Sequence, residues 1–449
     1  MRTAINKVFK AYYAWRMQRM DYFMQYPEQV QRKVLDQLLN KASKTQWGRR
    51  HAYTDIRTPE RFAQRVPIND YERLQPWIAR MMEGEKDVLW HGRVRWFSKS
   101  SGTTGAKSKY IPVSNENLRK CHIRGGWDSM TLFHHQRPDA RIFEAKTLLM
   151  AGSLSPHTSY PRTQVGDVSA IIVNQLPWVV RPFFAPDFET ALHPNFEEKI
   201  ERTAQILSRE PEIVAVGGVP TWLIVLFRRI LEITGKSNML EVWPKFQAYM
   251  HGGVNFTPYQ QQFHDFLPSE EVSYQEAYNA SEGYFAVQNN FKVKDMLLLL
   301  DNGIYYEFIP MEEWGKDFPK AIPIWEVETD KHYAIVISTN AGLWRYTPGD
   351  TVMFTSTSPY KIKITGRTKQ FINAFGEEVM VENTDRAIAM TCATFGVKMR
   401  DYTAAPIFMA QGKGGHQWLV EFEQTPPNLL AFAQMLDENL QALNSDYEA

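Results

Sequence analysis

Apolar positions near the start of the chain recur at helical spacing: Val8, Phe9, Tyr12, Tyr13 and Trp15, then Val30, Val34, Leu35, Leu38 and Leu39. Residues three and four apart share one helix face, so this stretch predicts amphipathic helices over 4–45. Pro27 divides it in two. A further helix is expected over Tyr71–Met82, with Asn69 or Asp70 placed to cap it. From about residue 143 the pattern changes to short apolar runs. Ala145–Met150 ends at Ala151-Gly152-Ser153, and Glu212–Val216 passes through Gly217-Gly218-Val219-Pro220 into Trp222–Ile230. Strand, glycine turn, then helix is the order of an α/β sheet, with Pro220 suited to a first helical turn. Met296–Leu300, Asp301-Asn302-Gly303 and Ile304–Ile309 predict a β-hairpin, because Asn-Gly supplies the positive φ angles of a type I′ turn. Tyr333–Ser338, Thr351–Thr355 and Lys361–Thr365 read as strands. After Gly366-Arg367-Thr368-Lys369 the last segment reads as one strand, Trp418–Phe422, and a helix, Leu429–Leu443. The expected fold is α/β: a large N-terminal domain over 1–366 with mixed sheets and helices, and a small α+β C-terminal domain over 367–449.

Composition narrows the class. With 449 residues the chain exceeds one small core. Hydrophobic residues at 44% and charged residues at 22% are those of an ordinary globular protein. Fifty-one basic against fifty acidic residues give a net charge of +1, so no general bias toward nucleic acid or anionic membrane exists. Cys121 and Cys392 stand far apart, without zinc spacing, and their number excludes a disulfide framework. Two buried or semi-buried thiols in a reducing cytosol are expected. The N-terminus, Met1-Arg2-Thr3-Ala4-Ile5-Asn6-Lys7, leads into mixed charged and aromatic residues, unlike a signal peptide. The longest apolar runs, such as Trp222–Phe227, are far shorter than a membrane span. A cytoplasmic monomer is expected.

Four segments carry candidate chemistry. Ser98-Lys99-Ser100-Ser101-Gly102-Thr103-Thr104-Gly105-Ala106-Lys107-Ser108-Lys109-Tyr110 surrounds two glycines with hydroxyls and ends in lysines. Glycines admit a ligand close to backbone N–H groups, and hydroxyls and lysines complement phosphate oxygens. It is not a P-loop, since Ser101 and Ala106 stand where that motif needs glycine. Tyr278-Asn279-Ala280-Ser281-Glu282-Gly283 follows the expected strand Val272–Ala277 and sets an aromatic, able to stack on a base, four residues before a carboxylate able to hold Mg²⁺. Trp344-Arg345-Tyr346-Thr347-Pro348-Gly349-Asp350 presents an aspartate on a tight turn, where it can accept hydrogen bonds from a ribose diol. His251-Gly252-Gly253 allows close approach to a flat ligand. The first three also have a plain reading: a solvated loop, a polar strand end, a hairpin with a turn aspartate. The His134-His135 pair and the other histidines lack ligand-spaced partners. Trp127, Phe133, Trp178, Phe183 and Phe184 read as core, with an apolar acid pocket as the alternative.

The order of these motifs, followed by Gly366-Arg367-Thr368-Lys369, resembles the adenylate-forming enzymes. More closely the chain resembles the Gretchen Hagen acyl-acid amido synthetases, known from plant hormone conjugation and also found in bacteria; a bacterial member is expected. The likeness is strong at Ser98–Pro112, Gly218–Leu223, Gly253–Tyr259, Tyr278–Gly283, Leu343–Asp350 and Leu443–Tyr447. It implies that Ser100, Ser101, Gly102, Thr103 and Thr104 hold the ATP phosphates, and that Tyr278 stacks on adenine within a site that includes Ser281. It implies that Glu282 binds Mg²⁺ and that Asp350 binds the ribose. Arg367 would lie near the nucleotide, and Lys369 at the domain hinge. Two positions depart from the plant pattern: Ala280 replaces a second serine, and Thr347-Pro348 replaces a less constrained pair. Family chains also run on past Asn444-Ser445-Asp446-Tyr447 to a lysine that contacts the adenylate, whereas this sequence stops at Ala449; either it is truncated or that lysine is missing.

The implied activity is ATP- and Mg²⁺-dependent activation of a small carboxylic acid, followed by transfer to an amine such as an amino acid. An acyl-CoA ligase, or a nucleotide-binding protein without turnover, is the alternative.

Overall fold

The computed structural model describes residues 2–100, 109–176, 178–368, 379, 381–408, 414–444 and 447. Helices Arg2–Gln25 and Pro27–Ala42 lie where the periodicity puts them. The second has Pro27 in its first turn, where no N–H is needed, Glu28 beside it and Lys41 in its last turn, as the helix dipole favours. Its buried face is Val30, Val34, Leu35, Leu38, Leu39 and one polar residue, Gln31. Helix Tyr71–Glu83 is capped by Asp70, whose side chain accepts from Arg73 N, and it stops at Gly84 in the left-handed region (φ 100°).

β1 (Trp96–Ser100) and β2 (Lys109–Val113) are antiparallel. After β3 (Lys146–Leu149) come β4 (Leu154–Pro156) and β5 (Gln164–Gly166), which complete a four-stranded sheet of order β2-β1-β5-β4. β3 instead joins β6 (Phe184–Ala185), β7 (Ile213–Gly218), β8 (Ala248–His251) and β9 (Ser273–Ala280) in a parallel array. The first four residues of β7, Ile213 to Val216, are all buried, as a parallel strand covered on both faces requires. Helices Phe196–Leu207 and Pro220–Thr234 pack against each other beside this array. Antiparallel strands extend it: β10 (Gly283–Val287), β11 (Met296–Leu298), β12 (Ile304–Pro310), β13 (Ile322–Pro323), β14 (His332–Thr339), β15 (Asp350–Thr357) and β16 (Tyr360–Arg367). The order among the described residues is β13-β12-β14-β15-β16-β11-β10-β9-β8-β7-β3-β6.

The expected 296–309 hairpin does not form. β11 pairs with β10 and β16, while β12 pairs with β13 and β14. Of the turn residues only Gly303 has a positive φ (82°); Asn302 is fully buried and donates to the Tyr284 carbonyl. Gln31 takes the backbone groups that a hairpin would have paired. Its Nε2 donates to Leu300 O (2.8 Å) and Ile304 O (2.9 Å), and its Oε1 accepts from Tyr306 N (2.9 Å). A side chain distant in sequence therefore wins over the local turn preference.

Charged groups lock the N-terminal helix down. Arg16, 1% exposed, is bidentate with Asp128 (2.6 and 2.8 Å) and reaches both oxygens of Asp301 (2.8 and 2.9 Å), with Arg124 on the same aspartate. Both cysteines are buried, and burial raises both thiols: Cys121 to about 12, against the lowering pull of the Tyr284 N–H it accepts, and Cys392 to about 11.

By compactness the chain divides into two units. The first comprises Met1–Val254, Phe266–Pro348 and Met353–Lys363; the second comprises Asn255–Asp265, Gly349–Val352 and Ile364–Ala449. The second holds helices Val381–Phe395 and Leu429–Leu443 and the antiparallel pair β17 (Met399–Phe408) and β18 (Gly414–Phe422), around Val379, Ile388, Met399, Phe432, Leu436 and Leu440. β17 goes unread in the sequence because it mixes charged residues, alanines and Pro406 without an apolar run.

Within this unit Asp385, 6% exposed, accepts from Tyr402 Oη (2.5 Å) and Asn255 Nδ2 (2.8 Å). Burial outweighs both bonds and raises its carboxyl to about 6, with Glu382 adding. A raised folded-state value means that its contribution to stability is complete below the unfolded value near 4 and is lost as pH rises through about 6. Protection of β17 amides in hydrogen exchange, relative to Asp385→Asn, is expected to fall by about 2–3 kcal/mol between pH 4 and 7. An equal pH response in both proteins would contradict this.

Candidate functional site

The parallel strands deliver the glycine turns to one edge of the sheet. Leu149 lies opposite Gly217, Gly218 opposite His251, and His251 opposite Glu276, so the turns after β3, β7 and β8 line up with the end of β9. In sheets of this kind ligands bind outside the carboxyl ends of the strands. The glycines there are needed for space. A Cβ on Gly252 would lie 2.3 Å from Ala277 O, and Gly253 has φ +85°. A Cβ on Gly217 would meet nothing within 4 Å, so that position faces open room. His251 is buried and its imidazole is pushed down to about 3, first by burial and then by Lys294, which keeps it neutral.

Beyond β9 the chain turns through Ser281 and Glu282 into β10. Ser98 of β1 donates to Ser281 Oγ (2.9 Å), across 183 residues of sequence. This bond joins the stem of the hydroxyl-rich loop to the turn that carries Glu282. Ser100 ends β1 opposite Lys109, the first residue of β2. Ser101, Gly102, Thr103 and Thr104 lie outside the described residues, as does Lys369. Glu282 is 7% exposed, and Tyr346 Oη donates to its Oε1 at 3.5 Å. Burial and then the Glu282 charge raise the Tyr346 hydroxyl well above its ordinary range, so it stays a donor. Tyr278 is buried, edge-on to Phe285 at 4.7 Å between ring centroids.

Asp350 and Arg367 belong to the second unit. Arg367 Nε lies 3.4 Å from Asp350 Oδ1, and the turn before Asp350 is fixed by Gly349 (φ 94°) and by Thr368 N donating to Gly349 O (2.8 Å). Arg345, in the same motif, has a structural task instead. At φ 42°, buried, it is bidentate with Glu307 (both 2.9 Å) and donates to Ala63 O and Val66 O. Trp127 packs on Phe9 (5.3 Å) and Phe133 is fully buried against Val214 and Ala248, so both serve the core.

Two residues escaped selection from sequence: Ser98, the bonding partner of Ser281, and Tyr346, the partner of Glu282. Both stand inside the quoted motifs; alternation along β1 could have singled out Ser98, while Tyr346 lies outside the strands and carries no such signal. Among the described residues no three acidic, histidine or cysteine side chains gather as a metal cage. One buried carboxylate still fits Mg²⁺, which takes one or two carboxylates and draws its other ligands from phosphates and water. No described helix is long and apolar enough to cross a membrane.

Most of the chain matches known proteins. Residues 16–208 match the GH3 family N-terminal domain, 297–367 its central domain and 382–449 its C-terminal domain. The chain is 22% identical to the indole-3-acetic acid-amido synthetase GH3.4 of Arabidopsis thaliana, covering 84% of this chain and 74% of that protein. It is 22% identical to the jasmonoyl–L-amino acid synthetase JAR6 of Nicotiana attenuata, covering 72% of this chain and 66% of that protein, so it spans about two thirds to three quarters of such relatives. Among solved structures, the GH3.15 acyl acid amido synthetase superposes with a TM-score of 0.77 at 15% identity, over 96% of this chain and 85% of that one.

Proposed function

We propose, from the premise that this chain belongs to the GH3 family, that it joins a small carboxylic acid to the amine of an amino acid through an acyl-adenylate. In the first half-reaction a carboxylate oxygen bonds to the α-phosphorus of ATP as the bond to pyrophosphate breaks. In the second the amine attacks the acyl carbon and AMP leaves. Positioning and charge neutralisation supply most of the acceleration in such displacements.

The observation that carries this reading is the Ser98–Ser281 bond, which joins β1, the strand leading into the hydroxyl-rich segment, to the turn that carries Glu282. Ser100 with Ser101, Gly102, Thr103 and Thr104 is assigned to the phosphates, Tyr278 with Ser281 to the adenine end, and Asp350 with Arg367 to the ribose and its neighbouring phosphate. Glu282 would hold Mg²⁺, whose charge offsets that of departing pyrophosphate. Lys369 is assigned to a hinge between the half-reactions. The names of relatives, an indole-3-acetic acid-amido synthetase and a jasmonoyl–L-amino acid synthetase, favour an amine, and in the second case an amino acid, over coenzyme A as acceptor.

ATP–pyrophosphate exchange with a panel of aryl and aliphatic carboxylic acids is the test, followed by mass spectrometry after addition of amino acids or coenzyme A. Acid-dependent exchange and an amide product are expected. No exchange with any acid overturns the proposal, and a thioester product replaces its second half.

A further inference from the structure

We infer that the turn Ala151-Gly152-Ser153 forms a wall of the carboxylic-acid site, that the Ser153 hydroxyl touches the acid, and that Lys199 is the positioning residue that holds the turn. The inference rests on the proposed function and goes beyond it by naming residues outside the motifs.

Topology gives the turn its place. The chain leaves β3 for β6 on one side, then crosses back to β7 and moves on to β8 on the other. Direction reverses between β3 and β7, and a crevice opens where strand order reverses. The turn 151–153 leaves β3 there, just beyond Leu149, whose partner on β7 is Gly217, a position with open room beside it. It also leads straight into β4. Leu154 of β4 and Ser98 of β1 flank the same residue, Gly166 of β5. Two strand spacings, about 10 Å, therefore separate the turn from the serine that bonds Ser281.

The turn is held from three sides. Lys199, on helix Phe196–Leu207 and 3% exposed, donates to Ala151 O (2.7 Å) and Gly152 O (2.9 Å). Asp167 accepts from Ser153 N (2.8 Å), and its own N–H donates to Ser153 O (3.0 Å). Ser169 Oγ accepts from Gly152 N (3.1 Å). Position 152 must be glycine, because a Cβ would lie 1.9 Å from Asp167 Oδ2. Burying an ammonium is costly, and burial lowers the Lys199 pKa accordingly. A chain reversal alone would not need it.

What the clamp leaves over is the Ser153 hydroxyl. Both backbone groups of Ser153 are bonded to Asp167, while its half-buried Oγ has no partner among the described residues. Its neighbours along the chain, Met150, Ala151 and Leu154, are apolar, and Gly217, the β7 partner of Leu149, offers no side chain. One hydroxyl donor among apolar neighbours suits a carboxylic acid with an apolar body better than it suits a polyphosphate.

The test separates acid from nucleotide. Benzoate, phenylacetate and hexanoate are offered to the full chain in ATP–pyrophosphate exchange, and their binding without nucleotide is followed by calorimetry. Ser153→Ala is expected to raise KM for the accepted acid about 10-fold, the worth of one hydrogen bond, with KM for ATP and kcat within about twofold. Ser153→Thr, which keeps the hydroxyl, restores most of this. Lys199→Met shifts the same KM at least as far. Should it fail to fold, Ser169→Ala, which loosens the turn at Gly152, is read in its place. Unchanged acid KM in Ser153→Ala, or equal shifts for acid and ATP, overturns the inference. Absence of exchange in the unaltered chain overturns the proposed function instead, and calorimetric binding weakened by Ser153→Ala would then still support the acid contact.

Discussion

Replacing Glu282 with glutamine lowers acid-dependent ATP–pyrophosphate exchange by on the order of 100- to 1000-fold, the scale lost when one preorganised charge-stabilising group is removed. The folded chain is expected to keep its melting temperature. Glutamine has the same shape, and its carbonyl can still accept from Tyr346 Oη, as Glu282 Oε1 does at 3.5 Å. Removing a charge from a 7% exposed site also removes a desolvation cost. Activity and stability should therefore separate in this variant. The loss should also depend on metal: raising Mg²⁺ restores part of the rate if Glu282 holds the ion, and restores nothing if it only shapes the turn. Tyr346→Phe keeps the carboxylate and should cost far less. An exchange rate within threefold of the unaltered chain in Glu282→Gln would remove Glu282 from the metal role.

The second large effect is on stability. Arg345→Met should destabilise the chain by about 3–5 kcal/mol, the usual result of removing one partner of a buried ion pair. Glu307, 4% exposed, would lose the two bonds at 2.9 Å that its carboxylate accepts. Burial already pushes its carboxyl up, with Arg345 holding it back, so without the guanidinium Glu307 would take a proton. The carbonyls of Ala63 and Val66 would also lose their donor. Arg345→Lys should not rescue, because an ammonium cannot serve both carboxylate oxygens and two carbonyls in one plane. Adding Glu307→Gln to Arg345→Met should recover part of the loss, and denaturant unfolding of the two singles and the double measures that coupling. Additive losses would show that the pair is not the source of the effect.

Arg345 also marks the limit of reading sites from sequence. It sits in a motif whose neighbour Asp350 is a nucleotide candidate, yet its partners, Glu307, Ala63 and Val66, lie 38 or more residues away. Local features were legible. Asp70 caps its helix and Leu429–Leu443 is helical because periodicity and caps act within a few residues. The turn into helix Pro220–Thr234 was legible for the same reason. The 296–309 hairpin was misread because Gln31 competes from 269 residues away. The order of the chemical motifs pointed to the family, but the bond from Ser98 to Ser281 could not be inferred from either segment alone. Long-range polar contacts, which carry no periodicity, are the part that sequence conceals.

Two thiols sealed in the interior have a practical consequence. Cys121 is 0% exposed and Cys392 8%, and burial holds both in the unreactive thiol form at neutral pH. Reagents that attack thiolates would pass them by while the chain is folded. A cysteine introduced on the surface would then take a fluorophore or spin label selectively, with neither native residue needing to be removed first. A pair of such labels, one in each compact unit, would make distances between the units measurable at every stage of turnover.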